Sequence, residues 1–196
     1  EEARQQRYHV VFISNQYDSS VPMFYQKASA SVEQACCWDY HVVLIEEPTV
    51  TKSERGDDDD DNDAPCARTR TKNDDNTAVV WDLDAKLPFP FALREYVKYA
   101  FLPNPPDRFV PLFRVLHAST YLRWFSSDRK HMMKSNGEWS QPPPHYACII
   151  HPDEDGAREE DCSSHCKQYR SMSKNELPSE RYGEVLTMDQ LLERFG

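Results

Sequence analysis

The residues best suited to chemistry in this sequence are a histidine and an aspartate that interrupt two apolar strand patterns. His41 lies within Trp-Asp-Tyr-His-Val-Val at 38–43, and Asp82 lies within Val-Trp-Asp-Leu-Asp at 80–84. A carboxylate that holds an imidazole in one tautomer prepares the other ring nitrogen for general acid–base catalysis. The pattern alone also allows a hydrogen-bonded core histidine and an aspartate that caps the end of its strand.

Two further groups of side chains compete for a chemical role. Asp84 shares a strand face with Asp82, so side-chain alternation cannot choose between the two carboxylates. Cys162, His165 and Cys166 offer three soft metal ligands within five residues, but a tetrahedral zinc site needs a fourth, and the spacing matches no standard zinc finger. We therefore expect no metal ion. The lack of a glycine-rich phosphate loop predicts no nucleotide cofactor.

The elements that must position these side chains follow from the period of the apolar residues. Alternating or continuous apolar runs predict strands at 8–14, 21–26, 38–45, 78–84 and 112–116. A stripe with helical spacing predicts a helix from Leu93 to Phe101, and Ser119 is expected to cap a short helix that ends near Phe125. Thr187 and Gln190 form a capping-box pattern that predicts a last helix through Phe195.

Mixed strands and helices predict an α/β or α+β domain with a central, mainly antiparallel sheet flanked by helices. The strands at 38–45 and 78–84 are expected to be neighbours, because consecutive strands usually pair. We expect an ordered loop at 127–146 and loose structure at 151–183. The 196 residues suit one domain, 1–196, with a disordered acidic insertion at about 47–76.

The net charge of -10 is concentrated in two short stretches. Residues 48–77 carry a net charge of -4 and residues 153–161 carry -5, so the rest of the chain is almost balanced. Neither a nucleic-acid surface nor a polybasic membrane face is expected from this distribution. No apolar run is long enough to span a bilayer, and the first residues lack the apolar core of a signal peptide. The six cysteines form no disulfide ladder, which favours a reducing intracellular compartment.

Several short motifs occur together in a fixed order along the chain. Together they resemble the protein N-terminal glutamine amidohydrolase family, and the resemblance runs nearly end to end apart from the two acidic regions. The motifs are Val-Phe-Ile-Ser-Asn at 11–15, Trp-Asp-Tyr-His-Val-Val at 38–43, Asp-Leu-Asp with Leu-Pro-Phe-Pro at 82–90, Phe-Arg-Val at 113–115, Phe-Ser-Ser-Asp-Arg-Lys-His-Met at 125–132, Pro-Pro-Pro at 142–144 and Arg-Phe-Gly at 194–196.

The resemblance implies a papain-like and transglutaminase-like hydrolase with a Cys-His-Asp triad. Its histidine would be His41 and its aspartate Asp82, and it would convert the side chain of an N-terminal glutamine to glutamate with release of ammonia. Such a step feeds degradation signals at protein N-termini. The resemblance implies no cofactor, a monomer, N-terminal glutamine peptides or proteins as partners, and a cytosolic or nuclear location.

The family's nucleophilic cysteine lies on a segment before the first strand, so we expect it to lie outside this sequence. Cys37 would share a strand face with His41 but lie four residues away, about 13 Å along an extended strand, and Cys36 would face the other way. A non-catalytic binder that keeps the pocket is the alternative function. Asp39 could accept the α-ammonium of the substrate or else cap its strand. Asp128, Arg129 and His131 could shape the substrate pocket or else anchor their loop by hydrogen bonds.

Overall fold

A six-stranded antiparallel sheet lies at the centre of the protein. The computed structural model describes residues 7–48, 77–127, 129, 132–140, 142–143, 145–146, 148–149, 166–173 and 177–196. The strands of the sheet follow one another across it in the order β6-β5-β4-β1-β7-β8, and β2 pairs with β3 in a separate two-stranded sheet. The strands are β1 (Tyr8–Ser14), β2 (Val21–Met23), β3 (Cys36–Trp38), β4 (His41–Glu46), β5 (Val79–Trp81), β6 (Phe91–Ala92), β7 (Leu112–His117) and β8 (Glu184–Leu186).

Short α-helices cover the two faces of this sheet. They are α1 (Leu93–Ala100), α2 (Ala118–Trp124), α3 (Cys166–Arg170), α4 (Ser179–Tyr182) and α5 (Met188–Phe195), with a single 3-10 turn at Asp107–Phe109. None of these helices has the length and apolar character that crossing a bilayer would need. The observed elements confirm the predicted α+β fold with a mainly antiparallel sheet.

Each face of the sheet packs its own apolar cluster. On one face, Val11 and Val43 from β1 and β4 pack against Leu93 of α1 and Phe195 of α5. On the other face, Phe12 and a group of aromatic and aliphatic side chains from β7, β8 and the helices α3 and α4 form a second cluster. Burial of each such side chain contributes about 1.5–3 kcal/mol to folding. The sheet is therefore a layer between two apolar clusters, one on each face.

Arg114 anchors the second face by an unusual arrangement for a charged residue. Its side chain is buried on β7, and its guanidinium donates hydrogen bonds to the carbonyl oxygens of Ser171 and Tyr182. Burial lowers the pKa of Arg114 from its ordinary value. The carbonyls of Ser171, just after α3, and of Tyr182, the last residue of α4, therefore supply the partners that a buried guanidinium requires. This gives the Phe-Arg-Val motif a structural role.

Several predicted elements occur where the sequence placed them. The strand at 8–14, the strand from Leu112, the helix from Leu93 and the capping box of Thr187 with Gln190 are all confirmed. The predicted neighbours also pair, since β4 and β5 are antiparallel partners with Leu44 opposite Trp81.

Other predictions were wrong in extent or detail. The strand expected at 38–45 is broken at Asp39 and Tyr40, so β3 and β4 belong to different sheets. The strands expected at 21–26 and 78–84 are shorter than predicted, because each segment leaves the strand and turns after three residues. Ser119 is not a cap, since α2 begins at Ala118 and its preceding residue His117 makes no side-chain cap.

The region expected to be loose, 151–183, contains α3 and α4 within its described part. The tyrosine of each helix, Tyr169 and Tyr182, is buried in the second apolar cluster, and that burial explains why the chain is helical there. Of the acidic insertion expected at about 47–76, residues 49–76 lie outside the described residues.

Candidate active site

The histidine and the aspartate singled out in the sequence meet at one end of the central sheet. His41 is the first residue of β4, and Asp82 directly follows the last residue of β5. Because the two strands are antiparallel neighbours, the start of one lies beside the end of the other. Nε2 of His41 lies 2.9 Å from Oδ1 of Asp82, and each residue is only 4% exposed. The contact between the two side chains that the sequence suggested is therefore present, and their catalytic role stays a prediction.

Asp82 accepts further hydrogen bonds that hold its carboxylate in place. The hydroxyl of Tyr96 donates to Oδ2 at 2.8 Å, the backbone N–H of Asp84 donates to Oδ1 at 2.9 Å, and Nε2 of Gln26 lies 3.5 Å from Oδ2. Burial opposes ionisation of Asp82, but the hydrogen bonds and the His41 ring outweigh it, so the pKa of Asp82 is lowered. The group is thus an ionised, firmly oriented acceptor for His41.

Tyr96 enters this site from α1, on the apolar stripe of that helix. Burial and the adjacent Asp82 carboxylate raise the pKa of Tyr96 well above its ordinary value. The phenol therefore stays protonated and remains a hydrogen-bond donor throughout the physiological pH range. Sequence reasoning missed this role, because an aromatic residue at helical spacing is ordinarily a core residue.

Trp38 of the small second sheet and Gln26, which follows β2, contribute two more side chains around the pair. The indole N–H of Trp38, on β3, donates to Oε1 of Gln26 at 3.2 Å, and the Trp38 ring lies 5.0 Å from the His41 ring between centroids. Gln26 is fully buried. A continuous chain of contacts therefore runs from Trp38 through Gln26 to Asp82, and it packs the His41 ring from one side.

The hydrogen bond to Asp82 determines which nitrogen of His41 is the donor and which is free to exchange a proton. When Nε2 carries the proton donated to Asp82, the neutral ring has its lone pair on Nδ1. Among the described residues, no hydrogen bond to Nδ1 is formed. Nδ1 is thus the nitrogen that can exchange a proton with a nucleophile, a leaving group or water.

The described cysteines are poor candidates for the nucleophile of this pair. No thiol of Cys36, Cys37, Cys148 or Cys166 forms a hydrogen bond with His41. Burial, with the neighbouring Cys37 and Asp84, raises the pKa of Cys36, whereas a nucleophile needs a lowered one. Cys166 is buried beside the hydroxyl of Tyr40, 3.8 Å away. The extended-strand distance expected between Cys37 and His41 no longer applies, since the chain is not a strand between them.

Two of the other candidates from the sequence, Asp39 and Arg129, lie among the described residues. Asp39 is exposed at the break between β3 and β4, and Arg129 donates to the carbonyl of Tyr146. Asp128 and His131 lie outside the described residues, as do Cys162 and His165 of the possible metal cluster.

A third carboxylate lies beside the pair. Within the described part of the chain, the one cluster of possible metal ligands is His41, Asp82 and Asp84, whose nearest ligand atoms lie within 4.8 Å of one another. Nε2 of His41 is already engaged by Asp82, so the arrangement is first of all a hydrogen-bonded acid–base pair with one exposed carboxylate at its rim.

Comparison with known proteins gives a consistent result. The model of the N-terminal glutamine amidase family matches residues 1–195. A protein N-terminal glutamine amidohydrolase of Oryza sativa subsp. indica is 36% identical over 171 residues, which cover 86% of this chain and 61% of the relative. That of Arabidopsis thaliana is 34% identical, with 72% of this chain and 54% of the relative covered. That of Drosophila melanogaster is 36% identical, with 72% and 58% covered. The chain thus spans between half and three-fifths of these relatives' length.

Proposed function

This chain belongs to the N-terminal glutamine amidase family, and we propose that the protein converts the side chain of an N-terminal glutamine to glutamate, with release of ammonia. The observation that carries the proposal is the buried pair of His41 and Asp82, 2.9 Å apart. A hydrogen-bonded imidazole and carboxylate are the two groups that an amide hydrolysis by a thiol requires beside its nucleophile.

The proposed reaction begins with a cysteine thiolate that attacks the side-chain carbonyl carbon of the glutamine. As the tetrahedral intermediate collapses, its C–N bond breaks, and Nδ1 of His41 gives its proton to the departing ammonia. A thioester remains. His41 then removes a proton from water, the hydroxide attacks the thioester carbonyl, and the C–S bond breaks to release glutamate and the thiolate.

Asp82 serves this cycle without exchanging a proton itself. Its carboxylate fixes the ring of His41 and stabilises the imidazolium form, which is present before ammonia leaves and after water is deprotonated. Because none of the described cysteines suits the role, we place the attacking thiol on the segment that family resemblance puts before β1. The likeness to papain-like and transglutaminase-like hydrolases belongs to this same proposal.

The setting of the activity follows from the same proposal. We propose that residues 1–196 form one domain, that the protein acts as a monomer in the cytosol or nucleus, and that its product feeds degradation signalling at protein N-termini. The two apolar clusters support the single domain, because both pack on the same sheet. The nearly balanced charge outside the two acidic stretches supports a peptide as partner in preference to nucleic acid or a membrane.

The activity is tested with the full-length protein and a peptide that begins with glutamine. Ammonia release and the amide-to-acid change at the first residue are measured together, beside the same peptide with asparagine first and with glutamine second. We expect reaction only with the glutamine-first peptide. No release from any peptide, with binding to the glutamine-first peptide retained, would instead support a non-catalytic binder.

A further inference from the structure

The proposed substrate presents two groups that an active site must recognise at the same time. One is the side-chain carboxamide, and the other is the free α-ammonium of the first residue. With bonds of about 1.5 Å, the ammonium nitrogen lies at most about 5 Å from the carboxamide carbon. A cation brought to the rim of a site needs an anionic or carbonyl acceptor in place of its water. Such an acceptor must therefore stand close to the reacting atoms at His41.

Asp84 is placed to be this acceptor. Its carboxylate lies within 4.8 Å of the ligand atoms of both His41 and Asp82, and the residue is exposed where the other two are buried. Among the described residues, no donor and no cation pairs with that carboxylate. It is therefore a negative charge beside the acid–base pair, open to solvent.

Two lysines adjoin Asp84: Lys27, whose backbone N–H donates to the carbonyl of Asp84, and Lys86, two positions further along the chain. Nζ of Lys27 donates to the carbonyl of Leu83 at 2.7 Å, and Nζ of Lys86 donates to the carbonyl of Ser29 at 2.6 Å. Both ammonium groups satisfy loop carbonyls, and neither neutralises the carboxylate of Asp84. The charge of Asp84 is thus left for a cation that comes from outside the chain.

The backbone of Asp84 is held on both sides. Its N–H donates to Oδ1 of Asp82 at 2.9 Å, and its carbonyl accepts from the N–H of Lys27 at 2.7 Å. These bonds tie Asp84 to the same carboxylate that orients His41. A ligand held by Asp84 therefore has a fixed position relative to His41, which is what a residue that aligns a substrate must provide.

We propose that the carboxylate of Asp84 binds the α-ammonium of the N-terminal glutamine and so determines that only a free N-terminus reacts. This inference rests on the proposed function, and it names Asp84 as the residue that determines the specificity for a free N-terminus. Asp82 cannot take this part, since both of its oxygens already accept hydrogen bonds from the protein. Asp39, the other exposed carboxylate considered from the sequence, does not belong to the cluster around His41.

The test removes the charge from the enzyme and the ammonium from the substrate, singly and together. The full-length protein and its Asp84→Asn variant are assayed on a glutamine-first peptide and on the same peptide whose first residue is a 4-carbamoylbutanoyl group, which is glutamine without its amine. Loss of the amine is expected to lower kcat/KM of the wild type by about tenfold or more, the usual worth of a charged hydrogen bond. In Asp84→Asn the same loss is expected to change kcat/KM less than about threefold.

Two matched variants make the result specific. Asp39→Asn tests the rival carboxylate, and Asp189→Asn removes an exposed charge on α5. Both are expected to keep the wild-type difference between the two peptides. The inference is overturned if Asp84→Asn keeps that difference or if Asp39→Asn loses it. A wild type that reacts with neither peptide would refute the proposed function instead, so the two failures are distinct.

Discussion

Nε2 of His41 lies 2.9 Å from Oδ1 of Asp82, although the two residues are 41 positions apart in the chain. The antiparallel pairing of β4 with β5 sets this contact. Leu44 of β4 lies opposite Trp81, the last residue of β5, so Asp82, which follows β5, comes beside the start of β4 at His41. The contact therefore depends on strand register, and a slip of one residue would separate the pair.

Replacement of Tyr96 by phenylalanine tests the support of the carboxylate. The ring still fills its place in the core, but Oδ2 of Asp82 loses the hydrogen bond from the phenol. That bond lowers the pKa of Asp82, so its loss raises that pKa. In Tyr96→Phe we expect kcat to fall by about tenfold, the worth of one hydrogen bond to a charged group. The acidic limb of the pH profile of kcat should move to higher pH.

The control for this variant comes from the same helix. Tyr99 lies on α1, where its ring packs against the rings of Tyr25 and Phe91 and lies 5.7 Å from Nζ of Lys98, and among the described residues its hydroxyl forms no hydrogen bond with Asp82. Tyr99→Phe is expected to keep both kcat and the position of the acidic limb. A Tyr96→Phe enzyme with a wild-type pH profile would show that the phenol does not act through Asp82.

The sequence predicted the two strands that bring His41 and Asp82 together, but not the other side chains that contact Asp82. The apolar runs around His41 and Asp82 predicted two neighbouring strands, and their pairing followed. The break at Asp39 and Tyr40 has no signal, because the apolar pattern continues through it. Gln26 and Tyr96 reach Asp82 by long-range packing, which local spacing does not record.

The elements that were missed are short. Helices α3 and α4 have five and four residues, too few for a helical period to be visible, and β8 has three. Such elements are fixed by the surface on which they pack, not by their own propensity. Tyr169 and Tyr182 are buried against the sheet, and Val185 of β8 lies opposite Arg114.

His9 predicts how stability depends on pH. The side chain is 1% exposed, and neither of its ring nitrogens forms a hydrogen bond among the described residues, although Nε2 lies 3.6 Å from Oε1 of Glu47. Burial and the nearby charges of His117 and Arg194 lower the pKa of His9 to about 4. In the unfolded chain the ring takes up a proton near its ordinary pKa of about 6.5, so protons favour unfolding between these two values. The contribution of neutral His9 to the free energy of unfolding is complete above the unfolded-state pKa of about 6.5, and it is lost as the pH falls from there toward about 4.

Urea unfolding at pH 7 and at pH 5 measures this effect. For the wild type, His9 is expected to lower the free energy of unfolding by about 2 kcal/mol between the two pH values. The decrease should be smaller by that amount in His9→Leu, whose side chain does not titrate. His145→Gln removes an exposed histidine and should keep the wild-type decrease. Equal decreases in the wild type and His9→Leu would mean that folding does not lower the pKa of His9.

Arg114 provides a prediction about the second face of the sheet. In Arg114→Leu the partly buried carbonyl of Ser171 and the buried carbonyl of Tyr182 lose their donor. Each unsatisfied buried acceptor costs about 1–3 kcal/mol, so the free energy of unfolding should fall by about 3 kcal/mol. Arg123→Leu, at an exposed position of α2, is expected to change it by less than about 0.5 kcal/mol. A similar loss in both variants would contradict the anchoring role of Arg114.

We infer that the pair of His41 and Asp82 carries the deamidation, and the kcat of Asp82→Asn for a glutamine-first peptide measures the contribution of the carboxylate. The amide has the size of the carboxylate but cannot stabilise the imidazolium of His41. We expect kcat to fall by about a hundredfold or more while the urea midpoint shows a folded protein, and Asp107→Asn, at the exposed 3-10 turn, to retain wild-type kcat. A kcat of Asp82→Asn within about twofold of the wild type would contradict it.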